Sequence, residues 1–100
     1  MKFWLITNDK DTLVGMRLAG IEGELANEKN ELLEKLENAV KNDEIAIVLI
    51  NNALASLIPS ELYEIKKNAK TLIVEIPDKG GSEPTDSITR YVANAVGIKI

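Results

Sequence analysis

Six apolar residues in a row, Ile45-Ala46-Ile47-Val48-Leu49-Ile50, set the strongest limit on how this chain folds. Four of them are β-branched, which suits an extended backbone. A strand with one wet face alternates apolar and polar residues, and this run does not alternate. It is the pattern of a central strand in a parallel sheet, covered by helices on both faces. Parallel neighbours need long crossover connections, usually helical, so the remaining chain is expected to alternate strands with helices.

The chain reads that way throughout. A first strand covers residues 2–7, with Phe3-Trp4-Leu5-Ile6 at its centre. The polar turn Thr7-Asn8-Asp9-Lys10-Asp11 follows, and a helix is expected from Asp11 or Thr12, capped by Asp9 or Asp11. Leu13, Val14, Met16, Leu18 and Ala19 form its apolar stripe, and Gly20 is its expected stop. In residues 21–26 Ile21, Gly23 and Leu25 alternate with Glu22, Glu24 and Ala26, the pattern of an edge strand guarded by glutamates.

Residues 27–41 turn helical, with Leu32, Leu33, Leu36, Ala39 and Val40 on one face. Glu31/Lys35 and Glu37/Lys41 stand in the favourable i,i+4 order. After the central strand, residues 53–68 have helical spacing, but Pro59 lacks a backbone N–H and predicts a kink or two short helices. A fourth strand covers residues 71–76. Residues 77–84 form a polar loop around Gly80-Gly81, and a last helix begins at Thr85 or Asp86. That helix carries Ile88, Tyr91, Val92, Ala95 and Val96 on one face, and Gly97 ends it before the tail Ile98-Lys99-Ile100.

Right-handed crossovers between four such units give an α/β fold, a four-stranded parallel sheet flanked by helices in a receiver-like or Rossmann-like arrangement. The simplest strand order is 2-1-3-4, which puts the two most apolar strands in the middle. One hundred residues make a single domain, residues 1–100, with 85–100 as a C-terminal helix and tail.

Composition removes several chemistries. The chain has no cysteine and no histidine, so disulfides, thiolate nucleophiles, Cys/His zinc sites and histidine bases are excluded. The formal net charge is -4, and no basic face is concentrated enough to displace counterions from nucleic acid. No run approaches the roughly 18 apolar residues of a membrane span. Lys2 with a four-residue apolar run does not make a signal peptide, so membrane work is expected to pass through a partner.

In a sheet of this kind ligands bind beyond the carboxyl ends of the strands, at the switch point between strands one and three. That edge collects Asn8, Asp9, Asp11, Asn51, Asn52 and the loop at 77–84. A phospho-receiver would need an acidic pair after strand one, an acceptor aspartate after strand three and a lysine ending a later strand. Asp9 and Asp11 imitate the pair, but the acceptor position holds Asn51 or Asn52, and the fourth strand ends Glu75-Ile76-Pro77 without lysine. Capping and turn formation account for the same residues.

Nucleotide chemistry fares no better. No glycine-rich phosphate loop follows the first strand, and Gly80-Gly81-Ser82 is flanked by Asp78 and Glu83, as in a plain turn. Ser56, Ser60, Ser82 and Ser87 have no histidine to activate them. No catalytic, cofactor-binding or metal-binding residue is expected, and the chain is not expected to be an enzyme. A binding role must then come from surfaces, above all the last helix and tail. Much of that helix also has core to cover, and Trp4 belongs to the core rather than to an interface.

Taken in order, the residues resemble a known family. The opening strand and Asn8-Asp9-Lys10-Asp11-Thr12-Leu13-Val14-Gly15-Met16-Arg17-Leu18-Ala19-Gly20-Ile21 resemble the start of the F subunit of V-type and archaeal-type (A-type) rotary ATPases. The run at 45–50 is similar to that family's middle strand. Leu72-Ile73-Val74-Glu75-Ile76-Pro77 is similar to its fourth strand with an E-I-P phrase, and Asp86-Ser87-Ile88 through Ala95-Val96-Gly97-Ile98-Lys99-Ile100 to its closing helix and tail. Gly23 and the polar stretch at 27–30 depart from the pattern.

The resemblance implies a non-catalytic component of the central rotor stalk with no cofactor. It implies binding to the coiled-coil D subunit, the A3B3 head and the subunit connecting to the membrane ring. The place would be the cytoplasmic side of the membrane, peripheral through the complex. Carried over, the family's contact segment falls on residues 86–100, with Ile88, Arg90, Tyr91, Val92, Ile98 and Ile100 as the expected partner-binding residues. The alternative of another class is a degenerate phospho-receiver or small-ligand regulatory domain.

Overall fold

A computed structural model of the chain describes residues 2–78. Their elements run β1 (Lys2–Thr7), α1 (Lys10–Leu18), β2 (Glu22–Leu25), α2 (Lys29–Lys41), β3 (Ile45–Asn51), α3 (Asn52–Ala55), α4 (Pro59–Asn68) and β4 (Leu72–Ile76). All strand pairs are parallel, in the order β2-β1-β3-β4. This is the α/β sheet expected from the sequence, with the two apolar strands in the centre. Residues 85–100, where the sequence leads one to expect a last helix and tail, lie outside the described residues.

Strand alternation divides the core into two layers. Ile6, Val48, Ile50 and Ile73 pack with Leu32, Leu36 and Ala39 of α2, Leu54 of α3 and Leu62 of α4. Leu5, Leu49, Val74 and Ile76 pack with Leu13 and Met16 of α1 on the opposite face. Ile45 breaks the odd–even rule, since it shares a layer with Val48 and Ile50. The cause is a register shift against β1, where Lys2 pairs with Ile45 but Phe3 pairs with Ile47. Ala46 is the extra residue of this bulge, and it turns Ile45 to the α2 side.

The helix boundaries follow from local chemistry. Asp9 caps α1, accepting from the Thr12 N–H at 3.0 Å and from the Thr12 hydroxyl. At the other end Gly20 adopts φ 92°, the left-handed conformation glycine takes without strain. The Gly20 N–H then reaches Arg17 O at 3.0 Å and the Ile21 N–H reaches Met16 O at 2.8 Å, the paired bonds of a Schellman stop. Pro59 divides residues 52–68 into α3 and α4 rather than kinking one helix. Having no N–H, it cannot donate to Ala55, whose carbonyl takes the Ile58 N–H instead at 3.2 Å.

The edge strand β2 differs from the guarded edge expected of it. Glu22 is exposed, but Glu24 is half-buried and accepts from Trp4 Nε1 at 3.0 Å. Lys35 of α2 approaches Glu24 at 3.7 Å and Glu31 at 3.6 Å, and donates to the Leu25 carbonyl. One lysine thus fastens α2 to the edge strand. No ion pair joins Glu37 to Lys41 among the described residues, so only one of the two expected helix pairs forms. Trp4 packs half-buried against the α2-side core, as its alternation predicts, with Lys2 Nζ 5.7 Å from its ring centroid.

Candidate functional site

The carboxyl ends of β1, β3 and β4 meet at one corner. Thr7 ends β1 with its side chain fully buried, and its hydroxyl accepts the Asp9 N–H at 3.1 Å. Asn51 ends β3 at 3% exposure, and Ile76, its partner in register, ends β4 two residues before Asp78. Around them Thr7, Asn8, Asp9, Thr12, Asn51, Ala53 and Asp78 line a cleft of about 310 Å³. The switch point is therefore a real concavity, where the topology requires it.

Its chemistry is that of a closed hydrogen-bond cluster. Asn51 Nδ2 donates to Asn8 Oδ1 at 2.9 Å and to Asp78 Oδ1 at 2.8 Å, using both hydrogens of the amide. Asn51 Oδ1 accepts the Asn8 N–H at 3.4 Å, at the long end of the range. Asp78 Oδ1 also accepts the Ala53 N–H at 2.9 Å. Asp9 is engaged in capping α1. The position a receiver would fill with a phospho-accepting carboxylate thus holds a buried amide already bonded to its neighbours.

Among the described residues the other parts of a phosphoryl-transfer site do not assemble here. Asp11 and Asn52 do not line the cleft, so the acidic pair read from the sequence is divided. Among the described residues no lysine or arginine lines it either. Lys66 of α4 pairs instead with Glu75 of β4 at 2.7 Å. Among the described residues no three acidic, cysteine or histidine side chains are grouped closely enough to hold a metal ion.

Asp78 was not separable from loop residues in the sequence. Its one signal is position, an acid two residues past a strand that ends at the switch-point edge, and any solvated turn carboxylate shares that signal. Gly80-Gly81-Ser82 and the expected contact residues Ile88, Arg90, Tyr91, Val92, Ile98 and Ile100 lie outside the described residues. A second and larger hollow, of about 650 Å³, opens at the opposite end of the sheet between the C-terminal ends of α2 and α4. Val40, Ile45, Ile65 and Ala69 give it a mainly apolar wall.

No helix among the described residues is long and apolar enough to cross a membrane. The protein family described as ATP synthase (F/14-kDa) subunit matches residues 5–92. The A-type ATP synthase F subunit of Pyrococcus furiosus is 38% identical over 104 aligned residues, spanning 96% of this chain and 95% of that protein. The proteins of the same description from Methanococcus vannielii and Methanocaldococcus jannaschii are 34% and 32% identical, each alignment spanning 95% of both chains.

Proposed function

Since the chain belongs to the family of ATP synthase (F/14-kDa) subunits, we propose that it is a non-catalytic central-stalk component of a V/A-type rotary ATPase. In this reading it binds the coiled-coil D subunit and helps couple ATP hydrolysis or synthesis in the A3B3 head to ion transport through the membrane ring. It lies on the cytoplasmic side, held to the membrane by the complex and the subunit connecting to the ring. Residues 1–100 act as one domain, and residues 85–100 form the helix and tail that touch the partners. Ile88, Arg90, Tyr91, Val92, Ile98 and Ile100 carry that contact.

The observation that favours a purely binding role is the amide of Asn51. It occupies the one position where this fold would need a carboxylate for phosphoryl transfer, and its hydrogens are directed to Asn8 and Asp78. Surface features agree with a protein partner. Val14 and Leu18, one turn apart on α1, are 48% and 85% exposed, unlike the buried Leu13 and Met16 beside them.

The competing reading, a degenerate receiver or small-ligand regulatory domain, draws on the cleft itself, where Asp9 and Asp78 flank Asn51. Chemistry separates the two. The purified chain should release no phosphate from ATP, take none from a small phosphodonor and show no Mg²⁺-dependent change in Trp4 fluorescence. Phosphate uptake or a saturable Mg²⁺ response would overturn the stalk assignment in favour of the regulatory one.

A further inference from the structure

From the corner formed by Asn8, Asn51 and Asp78 we infer that Asn51 is a positioning residue. It latches Asp78 and so fixes where the chain leaves the sheet at its last strand. The geometry is specific. Ile76 is the last residue of β4 and is paired with Asn51, and Pro77 separates it from Asp78. The Asp78 carboxylate then turns back across β3, taking the Asn51 Nδ2 hydrogen at 2.8 Å and the Ala53 N–H at 2.9 Å on the same oxygen. Asn51 also joins Asn8 through two contacts, so the ends of β1, β3 and β4 are held at one buried side chain.

An amide is the group this task requires. It offers two donors and one acceptor, and the cluster uses all three. A carboxylate at position 51 would set two negative charges a hydrogen-bond length apart at a position that is 3% exposed. Alanine would leave Asn8 and Asp78 without their shared donor. The residue that excludes receiver chemistry therefore has a task of its own, fixing Asp78 against the end of β3. This holds whether or not residues 85–100 bind a partner.

Two readouts test the latch. Exchange of the Ala53 N–H with solvent, followed by NMR in the full-length chain, reads the Asp78 bond directly. Asp78→Ala should accelerate it by about tenfold, the effect of losing one hydrogen bond to a charged acceptor. Asp78→Asn keeps a weaker, neutral acceptor in place and should fall between the parent and Asp78→Ala. Exchange of the Asn51 side-chain amide hydrogens reads the donor. Asp78→Ala should accelerate that exchange as well. Asn51→Ala, which removes the donor, should accelerate the Ala53 N–H several-fold, while exchange of the Leu36 N–H in α2 keeps its parental rate.

Parental exchange at Ala53 in Asp78→Ala, or equal acceleration in Asp78→Asn, would overturn the inference. So would parental exchange at Ala53 in Asn51→Ala, or a rise that is uniform across Ala53 and Leu36. If Asn51→Ala does not fold, exchange of the Asn51 amide hydrogens in Asp78→Ala decides alone, a parental rate overturning the inference.

Discussion

Gly23 shows how much one position can demand. It sits in β2 directly opposite Leu5 of β1, and a Cβ placed there would meet the Leu5 carbonyl and lie 2.7 Å from Leu5 Cβ. Leu5 is fully buried in the α1-side core and cannot yield without disturbing it. Gly23→Ala should therefore lower stability by about 1–3 kcal/mol, as overpacking does, and thermal or urea unfolding will measure it. An unchanged midpoint would mean that β2 swings away at little cost. In the sequence Gly23 read only as a departure in an uncertain strand, because no local rule reveals what lies across a sheet. Gly20 was legible for the opposite reason, since a helix stop is a local event. Asn51 stands between the two. Its identity was enough to exclude an acceptor carboxylate, but its partner Asp78 depends on how two strand ends meet.

Among the elements, α2 carries the clearest electrostatic signature. Glu31, in its first turn, accepts the Asn27 N–H at 2.8 Å, and this bond, aided by Lys35, holds its carboxyl below the ordinary glutamate range. Glu61 of α4 is lowered chiefly by its hydrogen bond with Lys29, 2.9 Å away. Each binds its proton less readily folded than unfolded. Their contribution is thus present above the unfolded glutamate pKa of about 4.3 and is lost as pH falls through the lower folded values. The melting temperature should decline in that acid window, and the double variant Glu31→Gln/Glu61→Gln should flatten the decline. Raised salt should shrink the effect, because both carboxylates are in solvent. A decline of unchanged steepness in the double variant would assign it to other carboxylates. The helix pattern and the Glu31–Lys35 pair were readable from spacing. The turn of Glu24 towards Trp4 and Lys35 was not, because an edge strand's acids look alike until a helix packs beside one of them.

At the scale of the whole molecule, the hydrophobic pattern carried the fold. An unbroken apolar run demanded two covered faces, and the strand order followed from connection length and handedness. The bulge at Ala46 escaped because an extra residue inside an all-apolar run changes no polarity pattern. What the fold does with its switch point is the functional lesson. The concavity persists, but an amide bonded to Asn8 and Asp78 fills the position where a receiver places its acceptor. The most direct test is co-purification of the full-length chain with the coiled-coil D subunit, followed by size-exclusion chromatography with light scattering. A stable one-to-one complex is expected, and removal of residues 85–100 should abolish it while α1, α2 and the sheet keep their circular dichroism. Failure of the intact chain to bind, or full binding by the folded truncation, would contradict the stalk assignment or its placement on the last helix and tail.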